Sequence, residues 1–266
     1  MTSEIAMIGI RSMGRARRRA TIAPRVGGGS MLDGMKRIMD RACEVWKRFG
    51  VAGLVREAFD KAVLRRASLN LVHVLALEGD TVRARSIEPG YELRFLSDDE
   101  VARFSADPIN QIGAEFVERA RSGHDLCFGA LCGDRLASYG WYALGCVEGT
   151  HASGVALGLP GDTAYLYKGF THPDFRGRHL YPACMGAALA ALRPRGIDRL
   201  IAFVYWSNAA ALRSCEGLGY RSLGHLLVGP RGPIRVPVAA RDLGVRFGVE
   251  AEVAIARAAR THSKRE

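Results

Sequence analysis

Cysteine is sparse and unpaired in this chain of 266 residues. Cys43, Cys127, Cys132, Cys146, Cys184 and Cys215 form no C-x-x-C step and have no histidine at ligand spacing, which argues against a zinc site. No signal-peptide pattern is apparent, so reduced thiols in the cytoplasm are the expectation. Long apolar runs are also missing. The stretch Leu69 to Leu77 falls well short of the roughly 20 residues a spanning helix needs, so the chain reads as soluble or membrane-peripheral. Acids are nearly absent from residues 1–30, where Glu4 faces Arg11, Arg15, Arg17, Arg18, Arg19 and Arg25.

The chain is 48% hydrophobic, enough for one ordinary core with extensions. Its formal charge of +11 favours acidic partners: nucleotide phosphates, anionic lipid, acyl carrier protein or nucleic acid. Nucleic acid is the weakest of these, because no base-reading motif is present. Residues 1–30 end in Gly27-Gly28-Gly29-Ser30 and read either as a flexible basic arm or as an extension ahead of a start at Met31.

Residues 31–68 carry a helical pattern. Met35, Ile38, Met39, Ala42, Val45, Trp46 and Phe49 recur at three- and four-residue steps, Gly50 interrupts, and Leu54, Val55, Ala58, Phe59 and Val63 continue. With Lys36, Arg37, Arg41, Lys47, Arg48, Arg56, Lys61, Arg65 and Arg66 between them, this amphipathic extension suits an anionic membrane surface, an acyl carrier protein, its own domain or a partner subunit of a homodimer.

From Leu69 the period becomes that of strands. Strands are expected at 69–77, 91–95, 126–131, 136–144, 162–171, 199–205, 220–228 and 234–239, with Pro237 marking an edge. Helices are expected after Ser97-Asp98-Asp99-Glu100, over 109–121, 182–193 and 209–218, with a charged C-terminal helix and tail over 241–266. The Gly-rich stretch 145–161 reads as a loop. This order gives an α/β fold with a mixed central sheet flanked by helices, a domain of residues 69–240, and the basic helical extension before it.

Chemistry concentrates at Tyr165-Leu166-Tyr167-Lys168-Gly169-Phe170-Thr171-His172-Pro173-Asp174-Phe175-Arg176-Gly177-Arg178-His179-Leu180-Tyr181-Pro182. A strand runs into a basic turn, and a helix follows with proline in its first turn, where a missing N–H costs nothing. Unpaired amides at that helix start, flanked by Arg176 and Arg178, make an anion site. Alternation places Tyr165 and Tyr167 on one face, and Leu166 and Lys168 on the other.

The ordered set Thr171-x-Pro173, Arg176 to Tyr181 and Asn208-x-x-Ala211-x-x-Ser214-Cys215-x-x-x-Gly219-Tyr220 resembles the GNAT superfamily of acyl-CoA-dependent N-acyltransferases, over about residues 90 to 230. The resemblance implies that acetyl-CoA is the co-substrate, that no metal is used, and that a primary amine of a small molecule or protein attacks the thioester directly. It also implies that Gly169, Phe170, Thr171, Arg176, Gly177, Arg178, His179, Leu180, Tyr181 and Asn208 hold the acyl-CoA.

Three positions depart from the family pattern. His179 and Tyr181 replace loop glycines, and Cys215 replaces the tyrosine that protonates the departing thiolate. Cys215, Tyr181, Tyr205 and water are the candidate acids. Tyr167, His172, Glu148 and His151 are the candidate bases. Trp141 and Tyr142 are placed to line an acceptor pocket or the core, and His73 reads as a paired or exposed strand residue. A non-catalytic acyl-CoA-binding module and a longer-chain acyltransferase drawing on acyl carrier protein at a membrane are the competing readings.

Overall fold

The computed structural model describes residues 31–64, 66–83, 86–123, 125–148, 155–230 and 232–249. Residues 1–30 and the expected helix beyond 249 lie outside that set. Helix α1 (Met31–Phe59) is broken by Gly50, whose φ of 64° and ψ of −164° are not helical. Then follow β1 (Asn70–Glu78), β2 (Glu92–Phe95), α2 (Asp98–Ser105), α3 (Ala114–Arg121), β3 (Asp125–Cys132), β4 (Arg135–Leu144), β5 (Cys146–Glu148), β6 (Val155–Gly158) and β7 (Thr163–Thr171). The chain continues through α4 (Leu180–Leu192), β8 (Arg199–Tyr205), α5 (Ala209–Leu218), β9 (Arg221–Gly229), β10 (Gly232–Arg235), α6 (Val238–Asp242) and β11 (Arg246–Val249).

Eight strands form one sheet in the order β10-β9-β1-β8-β7-β4-β3-β2. Every neighbour is antiparallel except β7 and β8. The first strand in sequence therefore sits inside the sheet, between β8 and β9, and its apolar run is covered on both faces. His73 on β1 meets His225 on β9 across the ladder, with their Nε2 atoms 2.7 Å apart, and burial lowers the His73 imidazole to about 4. One face of the sheet packs Val101, Phe104 and Phe116 from α2 and α3, together with the smaller sheet β11-β6-β5. The other face packs α4 and α5 through Cys184, Met185, Ala188, Leu189, Leu192, Ala211, Cys215 and Leu218.

Four elements depart from the sequence reading. The stretch 145–161 contains β5 and β6, whose partner β11 is far away in the chain, so no local period announces them. Arg246–Val249 is accordingly a strand, and helix α6 ends at Asp242, so residues 243–249 are not helical. Helix α3 begins at Ala114, after Asn110 ends a short turn, Gln111 takes a left-handed φ of 55°, and Gly113 caps the helix. Strand β10 ends at Arg235, because Pro237 starts α6.

The start of α2 is as the acidic run suggested. Ser97 Oγ accepts from the Glu100 amide at 3.3 Å, and Glu100 Oε2 accepts from the Ser97 amide at 3.0 Å. Arg94 forks onto the same carboxylate with two bonds of 2.7 Å, which lower Glu100 to about 2. A depressed acid contributes stability that is complete above its unfolded value near 4.5 and is lost as pH falls toward about 2. Thermal melts of Glu100→Gln are expected to lack this acid limb, and Ser97→Ala is expected to cost about 1 kcal/mol.

Candidate functional site

Strands β7 and β8 pair in parallel only from Thr163 with Arg199 to Leu166 with Ala202. Beyond that point β8 stays with β1, through Phe203, Val204 and Tyr205. Strand β7 stays with β4, through Lys168, Gly169, Phe170 and Thr171. Between them the register of β4 and β7 slips by one residue at Tyr167, a bulge that bends β7 away. The edge of residues 167–171 turned toward β8 therefore has no strand partner, and it borders the cleft that the parting of the two strands defines.

At the end of that edge the chain makes the basic turn. His172 is buried; its amide donates to Ala137 O at 2.9 Å, and its Nδ1 accepts from the Asp174 amide at 3.3 Å. Its ring edges onto Phe175. A nitrogen already used to cap the turn is not a free base, so the structure favours a structural role for His172. Arg176 Nε reaches back to Thr171 O at 3.3 Å. Arg178 is exposed and bonds the Tyr91 hydroxyl at 3.0 Å.

Gly177 has a φ of 83°, and His179, which caps α4, has a φ of 57°. A non-glycine residue in this region carries strain of order 1 kcal/mol, so the missing loop glycine leaves the turn's shape in place at a cost. Among the described residues, no backbone carbonyl receives the amides of residues 177–181. Those amides and the positive end of α4 form an anion cradle. Leu180 is buried beneath it. Asn208 caps α5, its Oδ1 accepting from the Ala211 amide at 3.1 Å.

Tyr181 stands over the open edge. A Cβ placed on Gly169 would overlap the Tyr181 ring, and one on Gly140, the residue paired with Gly169, would meet the Tyr142 hydroxyl. The two glycines thus make room for two phenols on the α4 and α5 face. Tyr220 and Cys215 belong to the same buried group. The hydroxyls of Tyr142 and Tyr220 have no partner among the described residues, an orphaning that costs free energy unless a ligand or water answers it. Burial pushes the Cys215 thiol up to about 12 and raises the Tyr181 phenol as well. Both keep their protons at neutral pH.

On the opposite face the bulge overturns simple alternation. Tyr167 stacks on Phe116 at 6.3 Å, and Lys168 Nζ lies 3.9 Å from the centroid of the same ring, so both point the same way. The Tyr167 hydroxyl donates to Asp125 Oδ2 at 2.8 Å, and burial raises it well above the usual tyrosine range. A fully enclosed phenol that must ionise to act as a base is a poor one, and Tyr167 is better described as core. Trp141 tilts against Phe116 at 5.2 Å and is equally enclosed. Glu148 ends β5, and His151 lies outside the described residues. No trio of His, Cys, Asp or Glu among the described residues is grouped to hold a metal.

Residues 95–220 match the sequence model of the acetyltransferase (GNAT) family. They form a GNAT acetyltransferase domain. No curated protein matches the chain. Among solved structures it is similar to a GCN5-related N-acetyltransferase-like protein of Streptococcus suis, at 12% identity and TM-score 0.42, over 67% of this chain and 66% of that one. It is also similar to a GNAT acetyltransferase of Colwellia psychrerythraea, at 13% identity and TM-score 0.43, over 63% and 59%. A GCN5-related N-acetyltransferase of Kribbella flavida matches at 13% identity and TM-score 0.42, over 65% and 64%. The chain thus spans less than two thirds of the length of each of these proteins.

Sequence reading passed over two buried polar groups of this GNAT domain. Asp125 is enclosed, with Arg119 Nη1 3.4 Å from its Oδ2 and with its Oδ1 unpartnered among the described residues. Lys168 donates to Gln111 O beneath the link between α2 and α3, next to Asn110, whose carbonyl takes the Tyr139 hydroxyl at 2.6 Å. The clue was available: Lys168 is the sole charge in the apolar strand Thr163–Thr171. Burial lowers it to about 8 from 10.5. Between those values the folded chain binds fewer protons than the unfolded one, so stability rises with pH across that window. The native protein is expected to gain up to roughly 3 kcal/mol over Lys168→Met between pH 8 and 10.5, read from paired denaturant titrations.

Proposed function

We propose that this chain moves an acetyl group from acetyl-CoA to a primary amine of a small molecule or protein. The observation that carries the reading is the parting of β7 from β8 beside the free amides of residues 177–181. The pyrophosphate suits the cradle of Gly177, Arg178, His179, Leu180 and Tyr181, with Arg176 and Arg178 adding charge. The pantetheine amides suit the edge at Gly169, Phe170 and Thr171 that β8 leaves unpaired, as an added strand would. Asn208 retains its side-chain amide nitrogen for the same ligand after capping α5.

Bound there, acetyl-CoA supplies an activated carbonyl. The amine nitrogen bonds to that carbon, the carbon–sulfur bond breaks, and the proton the amine loses balances the one the sulfur gains. Tyr181 is our choice for the donor to sulfur. Its ring lies over Gly169 and is half-buried, whereas Cys215 is buried in the core. A phenol that stays protonated through neutral pH is available as a donor throughout that range.

The competing reading is an acyl-CoA-binding module without turnover. It is favoured by Cys215 at the tyrosine position and by the commitments of His172 and Tyr167. Calorimetry with acetyl-CoA is expected to show binding that Arg176→Ala with Arg178→Ala abolishes. Tyr181→Phe is expected to lower kcat by about 10²-fold while retaining acetyl-CoA affinity. Binding with no free CoA released from any amine would establish the module instead. An unchanged kcat in Tyr181→Phe would remove the tyrosine from the chemistry.

A further inference from the structure

We infer that α1 is a docking surface for an anionic lipid bilayer, lying in its interface with the apolar stripe inward. Val51, Val55, Phe59 and Val63 recur every four residues and are 67%, 58%, 44% and 46% exposed. Ahead of the break at Gly50, Met39 and Trp46 are 66% and 56% exposed, and Cys43 is exposed too. The opposite side is the one the protein covers: Gly53, Asp60 and Leu64 are buried. Arg56 lies 5.5 Å over the Trp206 ring, and Phe59 also edges onto that ring. An apolar ladder of this length left in water marks an interaction surface.

Charge identifies the occupant. Residues 1–66 hold fifteen Lys or Arg and six Asp or Glu, a net +9 out of the chain's +11. The remaining two hundred residues are close to neutral, with a net +2. The excess charge is therefore concentrated on the quarter of the chain that bears the exposed stripe. Between Val51 and Leu64, Arg56 and Lys61 are offset by Glu57 and Asp60, so the excess lies in the segment leading into the ladder, residues 1–48 at net +7, and in Arg65 and Arg66 after it. An exposed apolar ladder continuous with that basic segment, with Trp46 exposed beside it, has the make-up of a helix seated at the headgroup level of an anionic leaflet. Nucleic acid would use the charge and leave the valines in water. A second copy would bring two segments of like charge together. No helix among the described residues is long and apolar enough to cross a membrane, so the contact lies along the surface. The inference is independent of acyl transfer.

The test is vesicle flotation of the full chain, with phosphatidylcholine alone and with equal parts phosphatidylcholine and phosphatidylglycerol. Val51→Glu with Val55→Glu is the variant; both positions are exposed, so its circular dichroism and acetyl-CoA binding are expected to match the native chain. The native chain is expected to float with anionic vesicles, to be released by salt, and to stay behind with neutral ones. The variant is expected to lose at least about tenfold in partitioning. Equal partitioning of native and variant chains, or no flotation with anionic vesicles, overturns the inference. So does a native dimer in sedimentation velocity that the variant dissociates.

Discussion

Two parallel strands that share four paired positions and then separate set the terms for everything near the cleft. Each is held on its far side by a different part of the sheet: β8 by β1, and β7 by β4. The extra residue at Tyr167 turns β7 from one alignment to the other, so the divergence is built into covalent spacing and needs no ligand to hold it open. From it follow the edge that no strand pairs and the placement of Lys168 and Tyr167 on one face, while Gly169 makes the room that Tyr181 fills.

The cleft's two ends differ in character. At the turn, the exposed Arg178, the half-buried Arg176 and amides that no backbone carbonyl receives lie together, where a nucleotide phosphate would exchange water for fixed donors. Deeper in, phenols and thiols replace charge, and burial keeps each of them protonated. Glycine is absent where close approach of a phosphate would favour it, yet His179 adopts the glycine-like conformation all the same, held by the packing of Leu180 and the short turn at Pro173–Phe175. That cost falls on a loop beside the proposed ligand, which is where strained backbone tends to be retained.

Much of this was legible in the residues. The Arg199–Tyr205 and Ala209–Leu218 elements, the hairpin of β3 and β4, and the cap at Ser97 rest on local signals, and local signals suffice for them. The basic turn was readable for the same reason, since proline, arginine and glycine at fixed offsets carry its geometry. What escaped depends on distant partners or on a single inserted residue. Strands β5 and β6 exist because β11 returns to pair with them. The bulge at Tyr167 leaves no trace in the alternation of Tyr165 to Lys168, so the face of Lys168 came out reversed and its burial unnoticed. Exposure of the α1 stripe was likewise beyond periodicity, which marks an apolar face without saying what covers it.

Amide hydrogen exchange, with and without acetyl-CoA, tests the central claim most directly. If the parted edge and the amide turn hold the ligand, peptides spanning residues 167–171 and 177–181 slow together on adding acetyl-CoA, and the α1 peptides do not change. Binding that leaves both segments exchanging at their free rate, while protecting another part of the chain, would contradict the account.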